Sequence, residues 1–142
     1  MCSILRAGLT IHLGFLNYFD TAENGFISAY RFYPNTDNYF EIKVEYQAVA
    51  DINGKNLLLV DPMLATGQSI LAVYNKLMER GTPKEIHIAV VIAAPEGIAY
   101  LEKHLPDTCH LWIAALDEKL NEHSYIIPGL GDAGDLSYGN KL

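Results

Sequence analysis

Leu57-Leu58-Leu59-Val60-Asp61-Pro62-Met63-Leu64-Ala65-Thr66-Gly67-Gln68-Ser69 runs an apolar stretch straight into an acid and then into a small, hydroxyl-bearing turn. Five residues from Asn56 to Val60 are the length of a strand buried on both faces, and the helical pattern that follows runs from about Gln68 to Arg80. A turn at that junction is a place for a phosphate: the first N–H groups of a helix lack intrahelical partners, and the helix dipole favours an anion there. Thr66 and Ser69 add hydroxyl donors, Gly67 lets the backbone come close, and Asp61 stands at the carboxyl end of the strand, where it can face sugar hydroxyls or a hydrated magnesium ion.

Working outward, the alternation is regular. Gly81 and Pro83 end the helix, Ile86 to Ala93 reads as a strand, Pro95 and Glu96 open a helix to about His104, and His110 to Ala115 reads as another strand. This alternation predicts right-handed crossovers and an α/β fold: a mostly parallel, twisted sheet with helices on both faces and ligands at the carboxyl ends of the strands. Upstream, Cys2 to Leu5 reads as a strand and Leu9 to Phe19 as a helix with Leu9, Leu13 and Leu16 on one side. Phe26 to Tyr33 and Tyr39 to Gln47, separated by Pro34-Asn35-Thr36-Asp37-Asn38, form a β-hairpin. Asp51 to Lys55 is a second turn, and the glycine-rich tail from Pro128 to Gly139 shows no regular element.

The 142 residues, 50% of them hydrophobic and 19% charged, suit one soluble globular domain spanning 1–142. A formal charge of −7 opposes binding to nucleic acid or an anionic membrane, so a phosphate ligand has to be met locally by arginines, backbone amides and a metal ion. Cys2 and Cys109 lack CxxC spacing and read as buried thiols of a reducing cytoplasm. There is no signal-peptide pattern, and no apolar run approaches the roughly 18 residues of a membrane span. His12, His87, His104, His110 and His123 show no metal-ligand spacing, Asp117 and Glu118 read as solvated, and Trp112 reads as core. Neither a Ser/His/Asp arrangement nor a reactive-cysteine setting is visible.

The Asp61 to Ser69 stretch resembles the phosphoribosyl-pyrophosphate (PRPP) loop of phosphoribosyltransferases, and its Asp-Pro-Met-Leu-Ala-Thr-Gly wording is that of the uracil phosphoribosyltransferase family. Three further segments agree in order: Ile4 to Leu9, Ala93 to Gly97, and Ala115 to His123 leading into Tyr125 to Asp135. The resemblance implies a type I phosphoribosyltransferase fold and the reaction of uracil with PRPP to give UMP and pyrophosphate, with Mg2+, in pyrimidine salvage. It implies PRPP contacts from Arg6, Arg31, Asp61, Pro62, Met63, Leu64, Ala65, Thr66, Gly67, Gln68, Ser69 and Asp132, and catalytic roles for Arg6, Asp61 and Asp132. Uracil would be read by Ile126, Gly131, Asp132 and Ala133, with Tyr125 a neighbour of the ribose. Magnesium would be held by PRPP and water rather than by direct protein ligands. Nucleotide binding, GTP included, a homo-oligomer and a cytoplasmic location are further family expectations.

The chain departs from the family at Gln68, where a second glycine is usual, and after Asp135, where Leu136-Ser137-Tyr138 replaces an arginine and a phenylalanine. A positive φ at residue 68 would make the glutamine cost about 1 kcal/mol, whereas a helical φ makes it inexpensive; the second is expected, since the amide and not the side chain meets the phosphate. Pro62 and Ala65 stand where transferases of other specificity carry acids, which leaves no side-chain general base in the loop. In family members a helical region precedes the Ile4-Leu5-Arg6 strand, so the chain is expected to leave apolar surface uncovered around Cys2 to Leu5 and along Leu9 to Phe19. The alternatives are a catalytically weak or inactive PRPP- or nucleotide-binding fragment and, disfavoured by the tail, a purine-specific transferase.

Overall fold

A computed structural model describes residues 1–32 and 41–140. Strands β1 (Cys2–Leu5), β2 (Gly25–Phe32), β3 (Glu41–Ala48), β4 (Asn56–Val60), β5 (Met63–Leu64), β6 (Glu85–Ala93) and β7 (Cys109–Leu116) form one sheet. Its order is β3-β2-β1-β4-β6, with β5 continuing the line of β4 along β6 and β7 on the other edge of β6. Every pairing is parallel except the antiparallel β2–β3 hairpin. The Pro34 to Asn38 turn lies outside the described residues. β8 (Lys119–Leu120) and β9 (Ile126–Ile127) make a separate small antiparallel pair.

The core lies on one face of the sheet. Cys2, Ile4, Ile27, Leu57, Leu59, Ile86, Ile88 and Val90 point to the same side and meet Ile70, Val73 and Leu77 of α2 (Gln68–Met78) and Leu101 of α3 (Pro95–His104). β1, read from sequence as bordering uncovered surface, is paired on both edges, and its Cys2, Ser3 and Ile4 are buried. Burial of Cys2 pushes its thiol up to about 12, so the group is inert.

α1 (Leu9–Leu16) lies on the opposite face and is shorter than the sequence pattern suggests. The apolar surface expected to be uncovered along this segment is so: Leu9 is 37%, Leu13 71% and Phe19 52% exposed, whereas His12 is 5% exposed and turned to the sheet. The imidazole bonds the hydroxyl of buried Ser3 at 2.6 Å and lies 5.0 Å from the Phe26 ring. A polar pair satisfied by its own partner occupies the place where apolar periodicity puts leucine. Desolvation lowers the His12 pKa, so it stays neutral.

Beyond α1 the same face carries His87 and Val91 of β6 beside His110, Trp112 and Leu116 of β7. Trp112 is 59% exposed, not core, because its pleat position points away from α2 and α3. It donates to His87 Nδ1 at 3.2 Å. The tail also differs from expectation: Ala133–Tyr138 is a short helix, α4, capped by Asp132, whose Oδ1 accepts from the Asp135 amide at 2.9 Å.

Candidate active site

The carboxyl ends of β1, β2 and β4 converge on a cleft of about 470 Å³. Pro62 interrupts β4, and its carbonyl accepts from the Val91 and Ile92 amides, so the strand steps sideways before resuming as β5. That step puts Asp61 at the cleft, where its Oδ1 accepts from the Met63 amide at 3.1 Å. Burial pushes the Asp61 carboxyl up to about 7; the Met63 amide opposes that shift and the nearby Asp132 carboxylate adds to it. A low-dielectric carboxylate beside a second one favours a hydroxyl-bearing or cationic neighbour.

Residues 65–69 fold back over the start of α2. Gly67 takes φ +79°, a left-handed conformation that a side chain resists, and the helix begins with no side-chain cap. The Gln68 amide reaches Thr66 Oγ1 at 3.4 Å, and Gln68 itself is the first helical residue, so glutamine there carries no backbone strain. The loop rests on α3: a Cβ on Gly97 would overlap the Ala65 carbonyl. Gly8 is equally confined, since a Cβ there would lie 2.6 Å from Ile4 O and 2.9 Å from Val60 O, and this holds the Arg6-Ala7-Gly8 turn tight against the end of β4.

The opposite wall comes from the tail. Asp117 accepts from the Gly129 amide at 3.0 Å, Glu118 donates its amide to Ile127 O, and Glu96 accepts from the Leu120 amide, which ties the tail to α3 and β8–β9. Asp117 and Glu96 are therefore structural anchors rather than idle surface acids. Gly131 (φ +82°), Asp132, Ala133 and Gly134 then line the cleft together with residues 65–67 and Ser69.

Arg6, Arg31, Asp61, Met63, Leu64, Ala65, Thr66, Gly67, Ser69, Tyr125, Gly131, Asp132 and Ala133 all line this cleft. Pro62, Gln68 and Ile126 stand behind it: Pro62 and Ile126 are buried, and Gln68 turns into α2. Sequence reasoning missed Tyr30, Ser124 and Gly134, which also line it. Ser124 sits at φ +61° in a turn whose amides bond Asn121, and the Asn121-x-x-Ser124 turn pattern was the one signal available.

Arg6 leaves β1 and crosses to the tail, where Nη2 donates to Asp135 Oδ1 at 2.5 Å and Nη1 donates to Gly139 O at 3.1 Å. Its Nε is buried with no hydrogen-bond partner among the described residues. No cluster of three or more histidine, cysteine, aspartate or glutamate side chains able to hold a metal occurs among the described residues. Among them, too, no helix is long and apolar enough to cross a membrane.

The chain is 54% identical over 142 residues to the uracil phosphoribosyltransferase of Porphyromonas gingivalis, covering all of this chain and 65% of that one. It is 45% identical over 138 residues to that of Shouchella clausii, covering 97% and 64%. A solved Aquifex aeolicus protein superposes with a TM-score of 0.88 at 34% identity, covering 97% of this chain and 64% of the other. The purine phosphoribosyltransferase of Pyrococcus horikoshii shares the fold, with a TM-score of 0.61 at 18% identity over 81% and 74% of the two chains. The chain thus spans just under two thirds of the length of the curated relatives it matches. The uracil phosphoribosyltransferase family model matches residues 1–140, and the chain belongs to this family.

Proposed function

We propose that the cleft transfers the phosphoribosyl group of PRPP to uracil, giving UMP and pyrophosphate. The observation that carries this reading is that an uncapped, glycine-started helix turn and a glycine-rich tail face each other across one cleft that also holds Arg6, Arg31 and Asp61. The 5-phosphate is held by the Thr66 and Ser69 hydroxyls and the amides that open α2, and the ribose hydroxyls by Asp61. The guanidinium groups of Arg6 and Arg31 meet the pyrophosphate, for which planar multidentate cations suit best. Backbone groups of Gly131 to Ala133 read the flat, neutral base, and Tyr125 borders the ribose.

In the reaction, N1 of uracil bonds the anomeric carbon as its bond to pyrophosphate breaks. The electron pair leaves with the pyrophosphate oxygen, and the N1 proton passes to water. Positive charge grows on the ribose as negative charge grows on the departing group, so the carboxyl groups of Asp61 and Asp132 on one side and the arginines on the other lower the barrier by position and charge. The residues present fit magnesium: two cleft carboxylates, with no third ligand clustered beside them among the described residues, suit an ion that keeps its waters and takes phosphate oxygens. When bound, magnesium neutralises pyrophosphate charge. Reduced, inert thiols accord with a cytoplasmic protein, and the homo-oligomer that the resemblance implies is open to sedimentation.

The test is formation of UMP from uracil and magnesium PRPP, followed chromatographically, with Asp61→Asn and Arg6→Ala alongside. Turnover abolished by both substitutions is expected. PRPP binding without UMP formation would leave a binding module instead.

A further inference from the structure

We propose that Asp135 is an internal stand-in for pyrophosphate, a carboxylate that holds Arg6 when the leaving group is away and yields it when the leaving group arrives. The inference rests on the donor-site reading above, and the argument is one of geometry. A guanidinium grips a phosphate in bidentate fashion through one of two edges, Nε with Nη2 or Nη1 with Nη2. In Arg6 the first edge is closed, because Nε is buried. Both Nη groups are engaged: Nη2 donates to Asp135 and Nη1 to the Gly139 carbonyl. Pyrophosphate that takes a fork from these two nitrogens therefore competes with the tail for them.

Charge points the same way. Asp135 sits directly on Arg6 in a chain of net charge −7 whose cleft also holds Asp61 and Asp132, so a multiply charged anion next to Arg6 meets repulsion from Asp135 as long as that carboxylate stays. The ion pair is only part-buried, its side chains 33% and 32% exposed, so water can reach it and exchange is inexpensive. Both groups that hold Arg6 belong to α4 or its cap. α4 starts at the base-facing residues Asp132 and Ala133, and its last bond runs from the Gly139 amide to Asp135 O. Arrival of pyrophosphate thus loosens the segment next to the base pocket.

The experiment titrates the chain with magnesium pyrophosphate by calorimetry and follows amide exchange of residues 134–139 by mass spectrometry. Asp135→Asn is expected to bind pyrophosphate about three- to tenfold more tightly than the parent, from loss of a part-exposed competing ion pair and its repulsion. In the parent, pyrophosphate is expected to speed exchange of 134–139; in Asp135→Asn that segment is already fast and does not respond. Equal or weaker binding by Asp135→Asn, or slower exchange in the parent with pyrophosphate, overturns the proposal. The exchange result decides even if the variant folds poorly. Arg6→Ala separates the two levels: if it keeps parental affinity, Arg6 does not hold the leaving group and the donor-site reading falls with the latch. If it loses affinity while Asp135→Asn gains none, the latch alone falls.

Discussion

Gly97, at the start of α3, lies directly beneath the Ala65 carbonyl, so close that the two backbones leave no room for a methyl group. The Ala93-Ala94-Pro95-Glu96-Gly97 segment, remote in sequence from the phosphate loop, is the floor on which that loop is built. Gly97→Ala is expected to push residues 65–67 outward, lower stability by about 1–3 kcal/mol through overpacking, and weaken PRPP binding by tenfold or more. Urea melts and calorimetry check both. Parental PRPP affinity in a folded variant would show that the loop does not depend on this contact.

Thr66 and Ser69 flank the uncapped start of α2. Replacing both by alanine removes two hydroxyl donors to a charged group and is expected to cost about 2–4 kcal/mol of PRPP binding with little loss of fold stability. Isothermal titration in magnesium buffer measures it, and unchanged affinity would mean that the 5-phosphate sits elsewhere.

Asp61 titrates against the stability of its own fold. Its folded pKa, about 7, lies above its ordinary value of 3.8, so the folded chain binds more protons than the unfolded one between those limits. Stability from this group is full below pH 4, is lost as pH rises towards 7, and stays lost above it. The loss is at most about 4 kcal/mol, and about half that where solvent reaches the cleft. Asp61→Asn should therefore raise stability at pH 8 and have little effect at pH 4, while abolishing turnover. Denaturant midpoints at the two pH values give the sign directly.

In the proposed reading, backbone groups of Gly131 to Ala133, which line the cleft, read the base. Cytosine carries an amino donor where uracil carries a carbonyl acceptor, and a mismatched buried pair costs about 1–3 kcal/mol. Cytosine is expected to turn over at least tenfold less efficiently than uracil. Comparable kcat/KM for cytosine or hypoxanthine would overturn the assignment of these groups to uracil.

The strand, loop and helix start that line the cleft were legible in the sequence because strand, acid, hydroxyls and glycine fall within thirteen contiguous positions. The sheet was legible for a similar reason: Leu57 to Val60 and Ile86 to Ala93 are apolar runs of strand length bounded by turn formers. What escaped was set by neighbours. His12 reads as one more histidine without metal-ligand spacing, yet Ser3 and Phe26 draw it inward and leave Leu13 on the outer side. Trp112 has a core residue's composition, but its exposure depends on which side of an edge strand the helices choose. The α4 helix hides in a glycine-rich tail because a single side chain, Asp132, caps it.

Arg6 and Asp135 stand 129 positions apart, and the order in which the site can assemble follows from that separation. The 61–69 segment is held by β6, α2 and α3, neighbours along the chain, and loop closure between near segments is fast and entropically mild. The Arg6 clasp needs nearly both ends of the described chain. In the proposed reading, the part of the site that would hold the sugar phosphate can therefore form from near neighbours, whereas the Arg6 clasp waits for residues 135–139.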